Sequence, residues 1–273
     1  MATNLFLIDS HVHIHEYFDI EEYLNFTFAN FSNSACKIDN SISCVGILLL
    51  TEIKGINFFN SLLDSSSQKF SNNFSLIRTE EDESFIIQNR NGYKVVVISG
   101  RQIITKEGIE LLALCTTKDF KEHEDLQKTI LDVIAANAIP VIPWGFGKWV
   151  GEKKNIIINL INLDKDIKFF LGDNSGRPRF CKEPYLFKLS KSCNHFILPG
   201  TDALPIPSEI GKTGSYGFYL TTDLNLSKPS EGLKKVLSEL IDSPLTFGKL
   251  ENPIKFFRNQ LIMQINKRKN KQI

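Results

Sequence analysis

The 273-residue sequence has few of the residues and patterns that mark several large classes of protein. Its five cysteines are scattered, odd in number and without a C-x-x-C pair, which predicts reduced, mostly buried thiols. No apolar run reaches the roughly 18 residues that a membrane span needs, and the N-terminus has no signal-peptide pattern. The 32 Lys and Arg residues balance the 31 Asp and Glu residues, so no charge excess indicates a nucleic-acid partner. We therefore expect a cytoplasmic protein that neither spans a membrane nor binds nucleic acid.

Motifs for nucleotide cofactors and for a serine nucleophile are also missing. Gly211-Lys-Thr213 resembles the end of a phosphate-binding loop, but Ile206 occupies the position of that motif's first glycine. Gly145-Phe-Gly147 follows a predicted strand, but Gly151 falls one residue late for the dinucleotide fingerprint. No G-x-S-x-G sequence is present. The sequence thus does not support a nucleotide cofactor.

Short apolar runs alternate with helical patterns along most of the chain. The predicted strands are 4–9, 44–50, 84–88, 94–99, 110–115, 139–143, 167–171, 195–199 and 215–221. The predicted helices are 53–64, 122–137, 152–162, 229–241 and 251–266. Segment 60–83 is rich in Ser, Asn and acidic residues, and we expect it to be a surface excursion around a short helix. Strands separated by helices favour an α/β fold with a mainly parallel sheet.

The first predicted strand leads into a run of histidines, Asp9-Ser-His11-Val-His13-Ile-His15. Alternate residues of an extended strand share a face, so the four polar side chains are expected to point the same way. Two imidazoles one strand step apart can chelate a single divalent ion. His11 and His13 are therefore predicted metal ligands. Asp9 is predicted to orient one of them without itself binding the metal.

Polar, glycine-rich turns follow four further apolar runs. They carry Arg101 and Gln102; Trp144 and Lys148; Asp173, Asn174 and Arg177; and Asp202. The carboxyl ends of barrel strands meet at one mouth, so we expect these side chains to converge there. Asp202 is predicted to bind the metal or to act as a base, although an Asp in this position can instead cap a helix. The turn from Asp173 to Arg177 is either part of the site or an Asx-turn with a solvated arginine.

These residues resemble the PHP (polymerase and histidinol phosphatase) family of the amidohydrolase-like metal-dependent hydrolases. Asp9-Ser-His11-Val-His13 is similar to the first family motif, and Gly200-Thr-Asp202-Ala is similar to a late one. The resemblance implies a distorted TIM-like (βα)7 barrel, here as a single domain over residues 1–265 followed by a basic tail over 266–273. A member of this family normally binds two or three metal ions and hydrolyses phosphoesters.

The sequence departs from the family pattern at four ligand positions. Gln102 stands where a Glu is expected, and Glu110, Trp144 and Leu204 stand where histidines are expected. The predicted cofactor is therefore one divalent ion, or two, of Mn, Zn or Fe. The candidate ligands are His11, His13, Asp202, His15, Glu110 and Asp173.

The leading functional hypothesis is a metal-dependent hydrolase, a phosphoesterase acting on a small phosphorylated or otherwise anionic substrate. Asp202 is the predicted ligand or base, and Arg101, Lys148 and Arg177 are predicted to hold the anion and stabilise the transition state. Gln102, Trp144 and Asn174 are predicted to contact the substrate. Three alternatives stay open: an inactive PHP-like binding protein, a metal-dependent amidase or lactonase, and a scaffold that docks through the basic tail and last helix. The sequence leaves the oligomeric state open.

Overall fold

A computed structural model describes residues 4–39, 43–64, 73–163 and 167–269. The strands within these ranges are β1 (Asn4–Val12), β2 (Cys44–Leu50), β3 (Phe74–Arg78), β4 (Ser84–Asn89), β5 (Lys94–Ile98), β6 (Gly100–Ile104), β7 (Glu110–Leu114), β8 (Ile139–Pro143), β9 (Phe170–Asn174), β10 (Ile197–Gly200), β11 (Tyr216–Thr222) and β12 (Leu245–Gly248). The helices are α1 (Ile20–Ile38), α2 (Phe58–Asp64), α3 (Leu126–Ala135), α4 (Glu152–Leu163), α5 (Tyr185–Ser192), α6 (Pro229–Ser238) and α7 (Pro253–Lys269), with a 3-10 turn at Pro207–Glu209.

The described strands form two mixed sheets. One has seven strands in the order β12-β11-β1-β2-β5-β4-β3, and the other has five in the order β10-β9-β8-β7-β6. β1, β2 and β5 run parallel, as do β8, β9 and β10. The remaining pairs are antiparallel. The predictions of a mainly parallel sheet and of a distorted TIM-like (βα)7 barrel are therefore wrong.

Hairpins explain much of this departure from a parallel barrel. Strands β3, β4 and β5 follow one another through short connections, and so do β6 and β7, so each pair must run antiparallel. The sheets approach each other closely at two glycines. A Cβ at Gly100 would collide with the carbonyl oxygen of Leu50, and one at Gly200 would collide with the backbone nitrogen of His11. These contacts bring the ends of β1 and β2 next to the second sheet.

Three apolar clusters stabilise this arrangement. The first lies between α1, α2 and the seven-stranded sheet and includes Tyr23 and Leu48. The second joins residues of both sheets, such as Ile8 and Leu198, and includes Leu233 of α6. The third lies between the five-stranded sheet and helices α3, α4 and α5, with Ile130 among its buried side chains. The resulting layers are helices, sheet, sheet and helices, with the candidate site at the strand ends.

Several elements differ from the sequence prediction. Helix α1 was not predicted, although Asp19 caps it and its buried residues recur at helical spacing. Strands β3, β6 and β12 and helix α5 were also not predicted, and residues 65–72 of the expected excursion lie outside the described ranges. Helix α7 extends to Lys269 and so includes the start of the predicted tail. No described helix is long and apolar enough to cross a membrane, and the five cysteines are free, with only Cys115 fully buried.

Candidate metal centre

Three side chains converge where the two sheets meet: His11 and His13, which are close in the sequence, and Asp202, which is far from both. The Nε2 atoms of His11 and His13 lie 3.1 Å apart, and Oδ1 of Asp202 lies 3.5 Å and 3.7 Å from them. Ligands about 2.0–2.1 Å from a tetrahedral ion are separated by about 3.4 Å. The three atoms therefore have the spacing of ligands that share one ion, and no other such group of His, Cys, Asp and Glu occurs among the residues described.

Strand β1 positions the two imidazoles through an irregularity at its end. Its register with β2 shifts between Asp9 and Val12, and regular pairing ends at Val12. The alternation predicted from an ideal strand therefore does not extend from Asp9 to His15. His11 and His13 still reach the same point, whereas the Asp9 carboxylate lies elsewhere.

Asp9 anchors the backbone around the centre and does not contact an imidazole ring. Its carboxylate accepts hydrogen bonds from Thr201 N and Oγ1 at 2.8 and 2.6 Å and from Gly214 N at 2.9 Å. It also accepts one from its own strand, at His11 N. These bonds tie the β1 end to the segment that carries Asp202, because Thr201 immediately precedes it. Burial raises the pKa of Asp9 to about 6 despite these hydrogen bonds.

Asp202 is held in an uncommon backbone conformation. Its φ is +48°, in the left-handed region that few residues other than glycine adopt, and its backbone nitrogen donates to His11 O at 2.8 Å. Its Oδ2 accepts a hydrogen bond from Asn174 Nδ2 at 2.9 Å, and the same amide donates to Trp144 O at 2.8 Å. Asn174 therefore fixes one carboxylate oxygen and leaves Oδ1 facing the histidines.

The electrostatic environment favours the ligand forms of these groups. Burial, with a further contribution from the neighbouring His11, lowers the pKa of His13 to about 3, so its imidazole is neutral at pH 7. Burial alone would raise the pKa of Asp202, but His11 and His13 outweigh it and the pKa lies below its usual value. A neutral imidazole and an ionised carboxylate are the forms that bind a metal.

A cleft of about 430 Å³ opens beside the centre. His13 and Asp202 form part of its wall, together with Gln102, Glu110 and Lys148. The remaining wall is mainly apolar, from Val12, Ile14, Leu50, Ile53, Ile56 and Phe58. Concave, mostly apolar sites with a few converging polar groups are typical of ligand pockets. The cleft is therefore the candidate substrate site.

Two further predicted ligands lie close to the centre but are bonded elsewhere. His15 Nε2 is 3.0 Å from Ala203 O, and its ring stacks on that of Tyr17. Glu110 Oε1 accepts from Lys148 Nζ at 2.5 Å, and both residues line the cleft. Neither belongs to the group of three converging ligand atoms.

The predicted site residues Asp173 and Arg177 form a separate buried network. Arg177 Nε and Nη2 donate to the two Asp173 oxygens at 2.8 and 2.7 Å, and Tyr216 Oη donates to Asp173 Oδ2 at 2.9 Å. We call Asp173, Arg177 and Tyr216 the ion-pair cluster. It does not line the cleft, so the structure does not bring Asp173 or Arg177 to the three ligands.

The predicted anion-binding residue Arg101 is also paired. It donates to Glu52 Oε2 at 2.8 Å and to Asp119 Oδ1 at 2.8 Å. Glu52 lines the cleft and was not among the predicted site residues, although Thr51-Glu52 directly follows an apolar strand. A search for polar residues directly after apolar strands, which identified the other candidate site residues, could have found Glu52.

The predicted substrate contacts are divided between two cavities. Gln102 lines the cleft, whereas Trp144 and Asn174 line a second cavity of about 250 Å³ that also reaches Asp202 and Lys148. Asn174 contacts a candidate ligand directly, a role that sequence spacing alone does not reveal.

Comparisons with known proteins are informative about the fold. No family model matches the sequence, and no curated protein matches it significantly. The crystal structure of PsfC from Pseudomonas syringae PB-5123 is similar over 98% of this chain and 99% of PsfC. The TM-score is 0.51 and the sequence identity is 11%. At this identity the similarity concerns the fold alone.

Proposed function

We propose that this protein is a metal-dependent hydrolase with one divalent ion bound by His11, His13 and Asp202. The observation that carries the proposal is the convergence of two imidazole nitrogens and one carboxylate oxygen beside an open cleft. Two histidines and one carboxylate are a common ligand set of catalytic zinc sites and also suit iron and manganese. The resemblance of the Asp9–His13 motif to the PHP family supports the same chemistry.

The bound ion would supply a Lewis acid that lowers the pKa of an adjacent water towards neutrality. The residues around the ion would then have distinct roles. The neutral His13 imidazole offers a lone pair at pH 7, and Asp202 contributes the negative charge. Asn174 orients the Asp202 carboxylate, as residues hydrogen-bonded to metal ligands commonly do.

Lys148 is the polar group placed to assist the reaction from within the cleft. It is half-exposed, lines the same cleft as His13 and Asp202, and is paired with Glu110. Its ammonium group can donate a hydrogen bond to an oxygen on which negative charge develops. We assign Lys148 this role and Glu110 the role of positioning it.

Metal content of the purified protein tests the proposal. We expect about one zinc, manganese or iron ion per chain by elemental mass spectrometry, lost in a His11→Ala/His13→Ala double variant because two of the three ligands are gone. A His15→Ala variant is the matched control, since His15 is bonded to Ala203 O and lies outside the three ligands.

Two results would contradict the proposal. One is no bound ion in the wild-type protein after incubation with zinc, manganese and ferrous iron. That result would favour the alternative of an inactive ligand-binding protein. The other is an unchanged ion content in a folded double variant, with folding checked by circular dichroism.

A further inference from the structure

We propose that the cleft binds the uncharged, apolar acyl part of a carboxylic ester or amide, so that the substrate is a neutral acyl compound. This inference rests on the proposed hydrolase function of the same site and names its substrate class. It differs from the prediction of a phosphorylated substrate, which depended on three free cations.

The cations predicted to hold an anion are all neutralised by carboxylates. Lys148 pairs with Glu110 at 2.5 Å, Arg101 pairs with both Glu52 and Asp119, and Arg177 pairs with Asp173 away from the cleft. A phosphate monoester carries nearly two negative charges at pH 7 and is normally held by unpaired Arg or Lys side chains.

The carboxylates of the cleft add to this effect. Glu16, Glu52 and Glu110 line it, and among the described residues Lys148 is the one Lys or Arg of a lining that also contains His13 and His15. A dianion would have to enter beside these acidic groups, and the described lining offers it no unpaired Lys or Arg side chain. The charges of the cleft therefore favour a neutral ligand.

The lining provides a surface for an apolar group. Val12 and Leu50 are fully buried at the wall, and Ile53, which is 49% exposed, extends the apolar surface outward. Ile56, Phe58 and Leu204 also line the cleft. Each CH₂ group buried against such a wall raises affinity about fourfold. An alkyl or aryl acyl chain is the complementary shape and chemistry.

Two of the candidate ligands line the same cleft as the apolar side chains. His13 and Asp202 line the same cleft as Ile53, so a substrate with its tail on the wall brings its carbonyl to the metal ligands and Lys148. Water adds its oxygen to the carbonyl carbon and the C–O or C–N bond breaks. The products are the carboxylic acid and an alcohol or amine, which takes the second proton of the water.

Binding of three matched probes to the full-length protein tests the substrate class. Octanamide, butyramide and monooctyl phosphate are titrated at pH 7.5 by saturation-transfer NMR against protein stripped of metal by chelation, so that a bound ion does not favour the phosphate. We expect octanamide to bind at least about 20-fold more tightly than butyramide, because four more CH₂ groups are buried. We expect monooctyl phosphate to bind at least about tenfold more weakly than octanamide. Equal or tighter binding of monooctyl phosphate, or no difference between the two amides, would overturn the proposal.

Two variants locate the binding in this cleft. Ile53→Asp should weaken octanamide binding about fivefold or more, whereas Ile241→Asp, at a 94% exposed position outside the cleft lining, should not change it. Glu110→Gln leaves Lys148 without its partner and should strengthen monooctyl phosphate binding about fivefold, with the exposed Glu239→Gln as control. Unchanged octanamide binding in Ile53→Asp would overturn the assignment of this cleft.

Hydrolysis separates the substrate class from the proposed function. The zinc-loaded protein is assayed with p-nitrophenyl octanoate and p-nitrophenyl phosphate, and we expect only the ester to be hydrolysed. Faster hydrolysis of the phosphate would overturn the substrate class and leave the metal-dependent hydrolase standing. Octanamide binding in a protein that takes up no metal would support the neutral cleft while removing the hydrolase proposal.

Discussion

The candidate metal centre and the ion-pair cluster are two polar groups at neighbouring strand ends, and they differ in how their polar atoms are satisfied. In the ion-pair cluster both oxygens of Asp173 accept hydrogen bonds from Arg177, and one also accepts from Tyr216. In the candidate metal centre two imidazole nitrogens and a carboxylate oxygen face one another. Three lone-pair donors at one point can together bind a cation, whereas a carboxylate in a guanidinium fork is already neutralised.

A single strand contributes to both groups. Asp173 and Asn174 are consecutive residues of β9, and successive side chains of a strand point to opposite faces. Asp173 therefore reaches Arg177, while Asn174 reaches Asp202. A turn that carries several polar residues can thus divide them between structure and function, and residue type alone does not say which is which.

Of the changes that test the difference between the two groups, Arg177→Ala is expected to have the largest effect, on the free energy of unfolding. This change leaves the Asp173 carboxylate buried without its charged partner, so the free energy of unfolding should fall by about 3–5 kcal/mol. Urea denaturation measures it, and Arg179→Ala, which removes an exposed arginine bonded to Leu250 O, should cost less than about 1.5 kcal/mol. A loss below about 1 kcal/mol in Arg177→Ala would mean that the ion-pair cluster does not stabilise the fold.

A smaller effect is expected at Asn174, and it concerns metal affinity rather than the free energy of unfolding. Asn174→Ala removes the hydrogen bond that orients Asp202, so zinc affinity should fall about 10- to 100-fold, as for other residues that support a metal ligand. Isothermal titration calorimetry with zinc measures this change. The exposed helical variant Asn155→Ala is the control and should bind zinc like the wild type. Unchanged affinity in Asn174→Ala would show that Asp202 does not depend on this bond.

The smallest effect concerns His195, a buried imidazole outside both groups. Burial lowers its pKa, although a hydrogen bond with Phe169 O opposes the shift. The unfolded chain takes up a proton near pH 6.5 and the folded protein does so only at lower pH, so His195 reduces stability as pH falls below 6.5. His13 contributes in the same direction, because its pKa in the folded protein is about 3.

The effect of His195 is measurable from the slope of stability against pH. In metal-free protein, His195→Gln should reduce the decrease between pH 6.5 and 5 by at most about 1.4 kcal/mol per pH unit. The exposed Asn155→Ala, which removes no titratable group, should leave the decrease as in the wild type. An unchanged slope in His195→Gln would mean that this imidazole takes up a proton in the folded protein as readily as in the unfolded chain.

The sequence predicted many elements but not their partners. Strands β2 and β8 and helix α4 lie within a residue or so of their predicted ranges, because hydrophobic periodicity is a local signal. The helix α1 was not predicted even though its cap and period are present in the sequence. The barrel prediction was wrong because strand pairing is not local: nothing in a short apolar run states whether its neighbour runs parallel or antiparallel.

The candidate site divides in the same way. The sequence by itself determined that His11 and His13 lie close together, because they are two residues apart at a strand end. Only the tertiary structure brought Asp202 to them from 189 residues away and gave it Asn174 as a partner. The tertiary structure also decided that Arg101, Lys148 and Arg177 are paired with carboxylates. The physical reason is that the residue type fixes the chemical groups of a side chain. Whether the charge of that side chain is free or neutralised depends on which distant residue folding places beside it.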